Sequence, residues 1–380
     1  MRNGENDTQQ VFFALVRGGL WEHDVELRNY GTTDFSEIMR LAEEQSVVGL
    51  VTAGLEHVKD VKVPQEWVLQ FVGETLQIEQ RNKDMNAFIE DLYGRMQRRD
   101  LYSILMKGQG IAQCYERPLW RTAGDIDLLL NDDNYDRAKE WFRSFALIDE
   151  DENEFRKRVN MTVDLWDVEL HGTMRGELGG RIDKVIDEVQ RDVFYGGNVR
   201  SWYNGKTTVF MPSADNNVIF IFTHILQHFF RGGIGLRQIC DWCRLMWTYR
   251  EELDLRLLES RIRKAGIMSE WRAFGAFAVE YLGMPMEEIP MFGSGLMVND
   301  ARLKKKAERI LEYVMEVGNF GHNRDMSYKK EKPFLVKMMI SLRHRTSDFM
   351  KQVMVFPKDA IRAYWYIWMT GLGVVLKWKR

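Results

Sequence analysis

Asp125 and Asp127 lie one residue apart, and their type and spacing could do chemistry. They belong to the stretch RTAGDIDLLL, residues 121–130. Because side chains alternate between the two faces of a β-strand, both carboxylates would lie on one face and Ile126 on the other. Like charges at this spacing repel each other. The pair therefore predicts either a solvated strand end or a bound cation that makes the proximity favourable.

A second acidic stretch, WDVELHG at residues 166–172, could supply a third carboxylate. Alternation places Asp167, Glu169 and His171 on one face of a strand. Carboxylates that converge on one point form an oxygen-rich site of the kind that holds Mg²⁺ or Mn²⁺ together with substrate phosphates. The stretch extends the cation-site interpretation. The alternative is that Asp167 and Glu169 line the solvated face of an edge strand.

Short apolar runs alternate with helical patterns around these acids, which is typical of an α/β core. The predicted strands are YSILMKG, DIDLLL, TTVFMP and the adjoining pair FRKRV and MTVDLWDVELHG. QGIAQCYE predicts one turn of helix. DDNYDRAKEWFRS predicts a longer helix, with Asp132 or Asp133 as its cap.

Helical patterns dominate on either side of this core. Residues 34–58 begin with Asp34, followed three residues later by Glu37, which is a helix-start signal. Residues 66–99 continue at helical spacing, and Ser213 is predicted to cap the first of the later helices. The later helices are predicted at 216–230, 236–249, 268–281, 301–317, 334–353 and 358–376.

Length and composition fit a folded protein with several packed parts. A chain of 380 residues is long for a single core, and its 45% hydrophobic residues supply ample apolar side chains. We predict an α+β fold in which a small mixed β-sheet core at residues 100–212 is flanked by a helical N-terminal lobe, residues 1–99, and a helical C-terminal lobe, residues 213–380.

Charge and cysteine content limit the partners and the compartment. The formal net charge of −3 gives no positive field that would recruit nucleic acid, so we expect no DNA partner. The three cysteines form no disulfide framework, and MRNGENDTQQ lacks a secretory apolar stretch, so we expect a cytoplasmic protein. The apolar run at 363–376 is shorter than the ~18 residues of a transmembrane helix. It predicts a buried helix, and a peripheral membrane contact is the less favoured alternative.

Two pairs of potential zinc ligands lie on the predicted C-terminal helices. His224 and His228 are one helical turn apart, and Cys240 and Cys243 are spaced similarly on the next helix. Both pairs are surrounded by aromatic and aliphatic residues, where buried histidines and cysteines occur without a metal. We therefore predict packed side chains rather than a zinc site. His224 could alternatively approach a nucleotide from the helical lobe.

The order of these motifs resembles a known family. A strand ending in MKG, a short helix, an arginine, DIDLLL and then a strand ending in VELHG are similar to the uncharacterised nucleotidyltransferase family of the polymerase-β-like nucleotidyltransferase superfamily. FTHILQHFF and LRQICDW resemble the helical region of that family. The resemblance extends from about residue 34 to about residue 246. It implies a nucleotidyltransferase-like α/β core within the α+β fold.

The resemblance also implies an activity and a set of site residues. A nucleoside monophosphate would pass from an NTP to an acceptor, which could be a protein, a small molecule or an RNA end, with Mg²⁺ (or Mn²⁺) and release of pyrophosphate. The implied catalytic and metal-binding residues are Asp125, Asp127 and Glu169. Nucleotide binding is assigned to Lys107, Gly108, Gly110 and Arg121: the glycines permit close backbone approach to phosphate, and the cations add positive charge.

One position departs from the superfamily pattern, and it leaves other functions open. The superfamily usually has a Gly-Ser pair at the first turn, whereas this chain has Gly108 followed by Gln109. The first alternative is a catalytically inactive member that serves as a nucleotide-binding or protein-interaction module. The second is a helical scaffold whose acids are solvated and whose Arg121 pairs with one of them.

Overall fold

A mixed β-sheet with helices packed on both faces forms the centre of the protein. The computed structural model describes residues 2–31, 33–149, 152, 157–292, 300–319 and 334–365. The strands are β1 (Ile104–Leu105), β2 (Ile126–Leu129), β3 (Ile148–Asp149), β4 (Arg158–Val163), β5 (Trp166–His171), β6 (Val199–Asn204) and β7 (Thr207–Pro212). Their order in the sheet is β3-β4-β5-β2-β1-β7-β6. The predicted α+β fold is confirmed.

Thirteen helices in the described part of the chain surround the sheet. They are α1 (Arg2–Trp21), α2 (Phe35–Glu44), α3 (Val48–Glu56), α4 (Gln65–Gln97), α5 (Gln109–Ala112), α6 (Asp132–Arg143), α7 (Gly180–Tyr195), α8 (Ala214–Arg231), α9 (Leu236–Thr248), α10 (Leu255–Ala265), α11 (Met268–Leu282), α12 (Ala301–Val317) and α13 (Phe334–Val355). Residues 357–365 are also helical. Every helix in these described ranges is too short or too polar to traverse a bilayer.

The two faces of the sheet enter two different hydrophobic cores. Leu105 and Leu128 pack with apolar residues of α4 and α6 on one face. Ile104 and Leu129 pack on the other face, in a larger core that includes residues of α1–α3 and of α8–α12. Because Asp127 alternates with Leu128 along β2, its carboxylate lies on the face of the second core.

The helices at the two ends of the chain pack against each other. The indole of Trp21 on α1 donates a hydrogen bond of 2.6 Å to the carbonyl of Leu282 on α11. The rings of Phe13 and Tyr281 lie 5.7 Å apart between the same two helices. The N-terminal and C-terminal helices therefore share one core on the face of the sheet that carries Asp127.

Local backbone geometry divides two of the predicted elements. The predicted helix at 34–58 begins at the Asp34 cap as expected, but it is two helices, α2 and α3. The break falls next to Ser46, whose φ of 56° is left-handed and ends a right-handed helix. Similarly, β4 and β5 are divided by a turn at Asp164, with φ of 54°, rather than near residue 160.

The cap of α6 also differs from the prediction. Asn131, rather than Asp132 or Asp133, caps the helix, because its side-chain oxygen accepts a hydrogen bond of 3.1 Å from the backbone N–H of Asn134. Asparagine and aspartate cap helices about equally well, so three adjacent candidates could not be separated by residue type. Helices α1, α7 and α10 and strands β3 and β6 were not predicted.

Some predictions fall partly outside the described residues. The predicted helix at 358–376 is helical as far as residue 365, and residues 366–376 lie outside the described ranges. Most of the loop expected between α12 and α13 also lies outside the described ranges, because residues 320–333 are not described.

Candidate active site

Strand pairing brings three potential metal ligands onto one face of the sheet. Strands β2 and β5 run parallel, with Asp127 opposite Glu169 and Leu129 opposite His171. Because side chains alternate along each strand, Asp127, Glu169 and His171 lie on the same face. All three side chains are buried. The alternation predicted for both strands therefore produces one cluster from two segments about 40 residues apart.

The cluster has the dimensions of a cation site. One ligand atom from each of Asp127, Glu169 and His171 lies within 4.8 Å of the others. His171 Nε2 is 2.9 Å from Asp127 Oδ1 and 3.0 Å from Glu169 Oε2. Asp127 Oδ2 is buried and accepts no hydrogen bond from any described residue. A buried carboxylate oxygen without a partner is costly, and a bound cation would satisfy it.

Cationic side chains compensate the two buried carboxylates. Lys107 Nζ lies 2.9 Å from Asp127 Oδ1. Arg158 on β4 forms an ion pair with Glu169, and it comes from the strand next to β5. The repulsion between Asp127 and Glu169 is thus relieved by Lys107, Arg158 and His171. This compensation is what permits two acids to remain buried side by side.

The same contacts shift the pKa values of the cluster. Burial alone would raise the pKa of Glu169, but the hydrogen bond from His171 and the charges of His171, Arg158 and Lys107 lower it to about 2. Asp127 follows the same pattern: burial opposes the shift, and Lys107 and His171 lower its pKa. Burial likewise opposes the rise in the pKa of His171, which its two carboxylate partners produce. The acids are therefore ionised, and His171 favours its charged form.

Asp125 lies apart from the buried cluster. It precedes β2, is exposed, and lines the same cleft as Asp127, Glu169 and Gly108. It is not among the three residues whose ligand atoms lie within 4.8 Å of each other. Its assignment as a metal ligand remains a prediction, and His171 takes the third place in the cluster. Asp167, also considered from the sequence, is exposed and accepts a hydrogen bond from Thr162.

The turn between β1 and α5 places its two glycines differently. Gly108 lines the cleft with φ of 60°, and a Cβ there would lie 3.2 Å from the carbonyl oxygen of Asp125. Gly110 packs beneath the turn, where a Cβ would lie 2.8 Å from the sulfur of Met211. Its N–H already donates to the carbonyl of Lys107. Gly108 is thus the glycine that permits close approach from the cleft, and the role of Gly110 in nucleotide binding remains a prediction.

Gln109, the departure from the superfamily pattern, faces away from the cleft. Its buried side chain donates a hydrogen bond of 2.7 Å to Asn82 on α4. Asn82 in turn donates to the carbonyls of Leu119 and Arg121, at 2.7 and 2.9 Å. Asn82 therefore joins the β1–α5 turn to the segment that leads into β2. The sequence analysis missed Asn82, although a polar residue among the apolar positions of a helix would have been a signal.

Arg121 lines the cleft, and its charge is matched by a residue that the sequence analysis missed. Its Nε and Nη2 donate to the two carboxylate oxygens of Asp241 on α9, at 2.8 and 2.6 Å. The hydroxyl of Tyr115 donates to Asp241 as well, at 2.8 Å. All three side chains are buried. Arg121 thus pairs with an acid on the C-terminal helices rather than with Asp125 or Asp127.

Helices α8 and α9 form the opposite wall of the cleft. His224 and His228 line it from α8, and Arg237 lines it from the first turn of α9. The space between these walls, with its open mouth included, is about 730 Å³. The cleft therefore lies open beside Asp127 and Glu169.

The histidine and cysteine pairs lie in different environments. The imidazole Nε2 atoms of His224 and His228 are 3.0 Å apart at the cleft wall. Burial, and secondarily the charge of Lys107, lowers the pKa of His224 and lowers that of His228 to about 3. Cys240 and Cys243 are fully buried in the hydrophobic core of the C-terminal helices, where burial raises their pKa values. Both histidines line the cleft, and the approach of His224 to a nucleotide stays a prediction.

Comparison with known protein families identifies the fold family. The family described as "Uncharacterised nucleotidyltransferase" matches residues 31–283. This range covers two thirds of the chain and includes the whole sheet, the acidic cluster and both walls of the cleft. No curated protein and no solved structure matches the chain. The chain belongs to the uncharacterised nucleotidyltransferase family, which confirms the resemblance noted from the sequence.

Proposed function

We propose that this member of the uncharacterised nucleotidyltransferase family transfers a nucleoside monophosphate from an NTP to an acceptor. An oxygen of the acceptor would attack the α-phosphorus and lose its proton, while the bond to the bridging oxygen breaks and pyrophosphate leaves. The observation that carries the proposal is the buried cluster of Asp127, Glu169 and His171, of which Asp127 and Glu169 line the open cleft. Helical scaffolds have no need of such a costly arrangement.

The residues present fit a divalent cation. Two carboxylates provide the oxygen ligands that suit Mg²⁺ and Mn²⁺, and Asp127 Oδ2 has no partner among the described residues. Asp127, Glu169 and His171 would hold the ion, and the exposed Asp125 would turn into the same cleft as a further ligand. The bound ion would lower the pKa of the acceptor hydroxyl and neutralise charge on the triphosphate.

Lys107 has a distinct part in this proposal. Its ammonium pairs with Asp127 and is largely removed from water. Once Asp127 is neutralised by another cation, the flexible lysine side chain can pair with a phosphate oxygen of the nucleotide. Gly108 would allow the backbone to approach the same triphosphate. Lys107 and Gly108 would thus orient the nucleotide while Asp127 and Glu169 position the reacting oxygens.

His224, His228 and Arg237 line the wall opposite the acids, so they could contact the nucleotide or the acceptor. Both histidines are held neutral by burial, so they can donate or accept hydrogen bonds without adding charge. The residues of this wall would determine which acceptor binds, whether a protein, a small molecule or an RNA end.

A non-catalytic nucleotide-binding or protein-interaction module is the second candidate. The observation in its favour is that Lys107, Arg158 and His171 already compensate Asp127 and Glu169. An acidic cluster whose charges are compensated by neighbouring side chains can persist for structural reasons. Such a module could still bind an NTP in the cleft, but it would not release pyrophosphate.

Pyrophosphate release separates these candidates. The full chain would be incubated with each common NTP, with Mg²⁺ or Mn²⁺, and with a panel of protein, sugar and RNA acceptors. We expect pyrophosphate from the wild type and a loss of at least about 100-fold in Asp127→Asn. Asp167→Asn is the matched control, because Asp167 is an exposed acid at the start of the same strand as Glu169. Nucleotide binding without any turnover would select the non-catalytic module, and absence of both would reject both candidates.

A further inference from the structure

Helix α13 is fixed to the rest of the protein by one face. The side-chain amide of Gln352 donates to the carbonyl of Phe229 at 2.7 Å and to the hydroxyl of Tyr313 at 3.1 Å. Gln352 and Val355 are buried in this contact. These contacts define the inner face of α13, and they determine which residues are turned outward.

The opposite face of α13 is exposed and apolar. The side chains of Met339, Leu342, Met350 and Met354 are 67, 46, 59 and 52% exposed. Their spacing places them in one stripe along the helix, on the side opposite Gln352. We refer to these four residues as the outer face of α13. Single exposed apolar residues are common, but an aligned set of large ones indicates a surface that is covered in use.

Positive charge accompanies the outer face. Arg343 is exposed within the stripe on α13, and Lys358 and Arg362 are exposed on the helical residues that follow. Residues 334–380 contain nine Lys and Arg, two Asp and no Glu, although the whole chain has a net charge of −3. The partner of this face therefore has to accept both apolar side chains and a concentration of positive charge.

Exposed apolar side chains continue beyond α13. Ile361 and Trp365 are 55 and 70% exposed. The next residues, YIWMTGLGVVLKWKR at 366–380, lie outside the described ranges, but their composition adds aromatic residues and three further cations. Tryptophan combined with Lys and Arg is the composition found where proteins meet the boundary between water and lipid.

We propose that the outer face of α13 binds the surface of a membrane that contains anionic lipid. The apolar stripe enters the boundary between headgroups and acyl chains, and Arg343, Lys358 and Arg362 contact lipid phosphates. This inference goes beyond nucleotidyl transfer and does not depend on it. A second copy of the chain fits the face less well, because a two-fold contact would bring the same arginines together.

Sedimentation with lipid vesicles tests this proposal on the full chain. We expect the protein to sediment with vesicles of phosphatidylcholine and phosphatidylserine but not with phosphatidylcholine alone. Replacing Met339 and Met350 with Glu should weaken binding on the order of tenfold or more, because it charges the apolar stripe. Replacing Arg343 with Glu should weaken binding by a similar factor, and more so at low salt.

Two exposed leucines on α4 supply the matched control. Leu69 and Leu76 are 63 and 55% exposed, and replacing both with Glu makes the same chemical change far along the chain from α13. This control should bind like the wild type, and circular dichroism establishes that every variant is folded. Folded wild type that does not sediment, or equal loss in the control, overturns the proposal. A dimer in light scattering that Met350→Glu dissociates would overturn it in favour of a second copy.

Discussion

Lys107 Nζ lies 2.9 Å from Asp127 Oδ1, so an internal cation contacts the carboxylate most suited to bind an external one. Burial opposes ionisation of Lys107, but the charges of Asp127, Asp125 and Glu169 raise its pKa overall. A divalent cation that binds Asp127 therefore has to compete with the ammonium group. Lys107 occupies one side of Asp127, and we expect nucleotide and metal together to release it by giving the lysine a second anionic partner.

Lys107→Met should change metal and nucleotide affinity in opposite directions. The variant keeps side-chain length but removes the competing charge, so Mn²⁺ alone should bind tighter, on the order of tenfold. The NTP complex with Mn²⁺ should bind weaker by a similar factor, because a phosphate contact is lost. Isothermal titration with Mn²⁺ and with a non-hydrolysable NTP measures both. Weaker binding of Mn²⁺ in the variant would show that Lys107 does not compete for the site.

Asp127→Asn and Asp125→Asn should differ in their effect on the free energy of unfolding, because Asp127 is buried and Asp125 is exposed. The sequence alone suggested that removing either charge would relieve repulsion, but the structure pairs Asp127 with Lys107 and His171. Asp127→Asn leaves these cations without their partner and should destabilise the protein on the order of 3 kcal/mol. Asp125→Asn should change stability by less than about 0.5 kcal/mol, since Asp125 is exposed. Urea unfolding measures both values.

The same two variants also test the ligand site. An NTP with Mg²⁺ at a hundredfold excess over its dissociation constant should stabilise the wild type by about 2.7 kcal/mol. Both variants should lose most of this stabilisation if both aspartates hold metal. A full ligand response in Asp125→Asn would leave the buried cluster of Asp127, Glu169 and His171 as the complete metal site.

The sequence predicted the local features of this site better than the distant ones. Alternation along each strand predicted that Asp127 lies on the face opposite Ile126 and that Glu169 and His171 share a face. This was possible because a period of two is a local property. That β2 pairs with β5 in this register depends on contacts between distant segments. The partner of Arg121 could not be predicted for the same reason, since Asp241 lies 120 residues away. Gln109 was identified as unusual, but its inward direction depends on Asn82 on another helix.

The pair of Arg121 and Asp241 should contribute strongly to stability. Asp241→Asn leaves a buried guanidinium without its anion and should cost about 3 to 5 kcal/mol. Asp187→Asn is the matched control, because Asp187 pairs with Arg175 through two similar hydrogen bonds but Arg175 is half exposed. The control should cost less than about 1 kcal/mol. Chemical unfolding of both variants checks the difference, and equal losses would contradict a structural role that depends on burial.

Stability should fall on acidification because of the histidines at the cleft wall. Burial lowers the pKa of His228 from 6.5 to about 3, so below pH 6.5 the unfolded chain takes up a proton that the folded protein does not. This histidine's share of the loss should reach about 2 kcal/mol at pH 5. His171, with its raised pKa, acts in the opposite direction, and its stabilising contribution is complete below pH 6.5.

His228→Gln isolates this contribution. The variant cannot be protonated, so its free energy of unfolding should fall less steeply between pH 7 and pH 5 than that of the wild type, by about 2 kcal/mol over the range. His23→Gln makes the same change at an exposed histidine and should keep the wild-type slope. Guanidinium unfolding at a series of pH values provides the comparison. Parallel curves for His228→Gln and the wild type would show that His228 is not held neutral in the folded protein.

Gln109→Ser restores the Gly-Ser pair that is usual in the superfamily, but we expect it to impair this protein rather than improve it. The glutamine side chain is buried and donates to Asn82, which also holds the carbonyls of Leu119 and Arg121. Serine is too short to reach Asn82, so the variant leaves a buried acceptor unsatisfied and a void beside α4. The expected cost is about 1 to 3 kcal/mol.

Gln113→Ser, one turn further along and only partly buried, is the control and should cost less than about 1 kcal/mol. Because loss of the Asn82 contact loosens the turn that carries Gly108, NTP binding should weaken in proportion to the loss of stability. Tighter NTP binding in Gln109→Ser, with an unchanged free energy of unfolding, would contradict this expectation. It would mean that the turn accommodates serine and that Gln109 only occupies the position of a phosphate-binding serine.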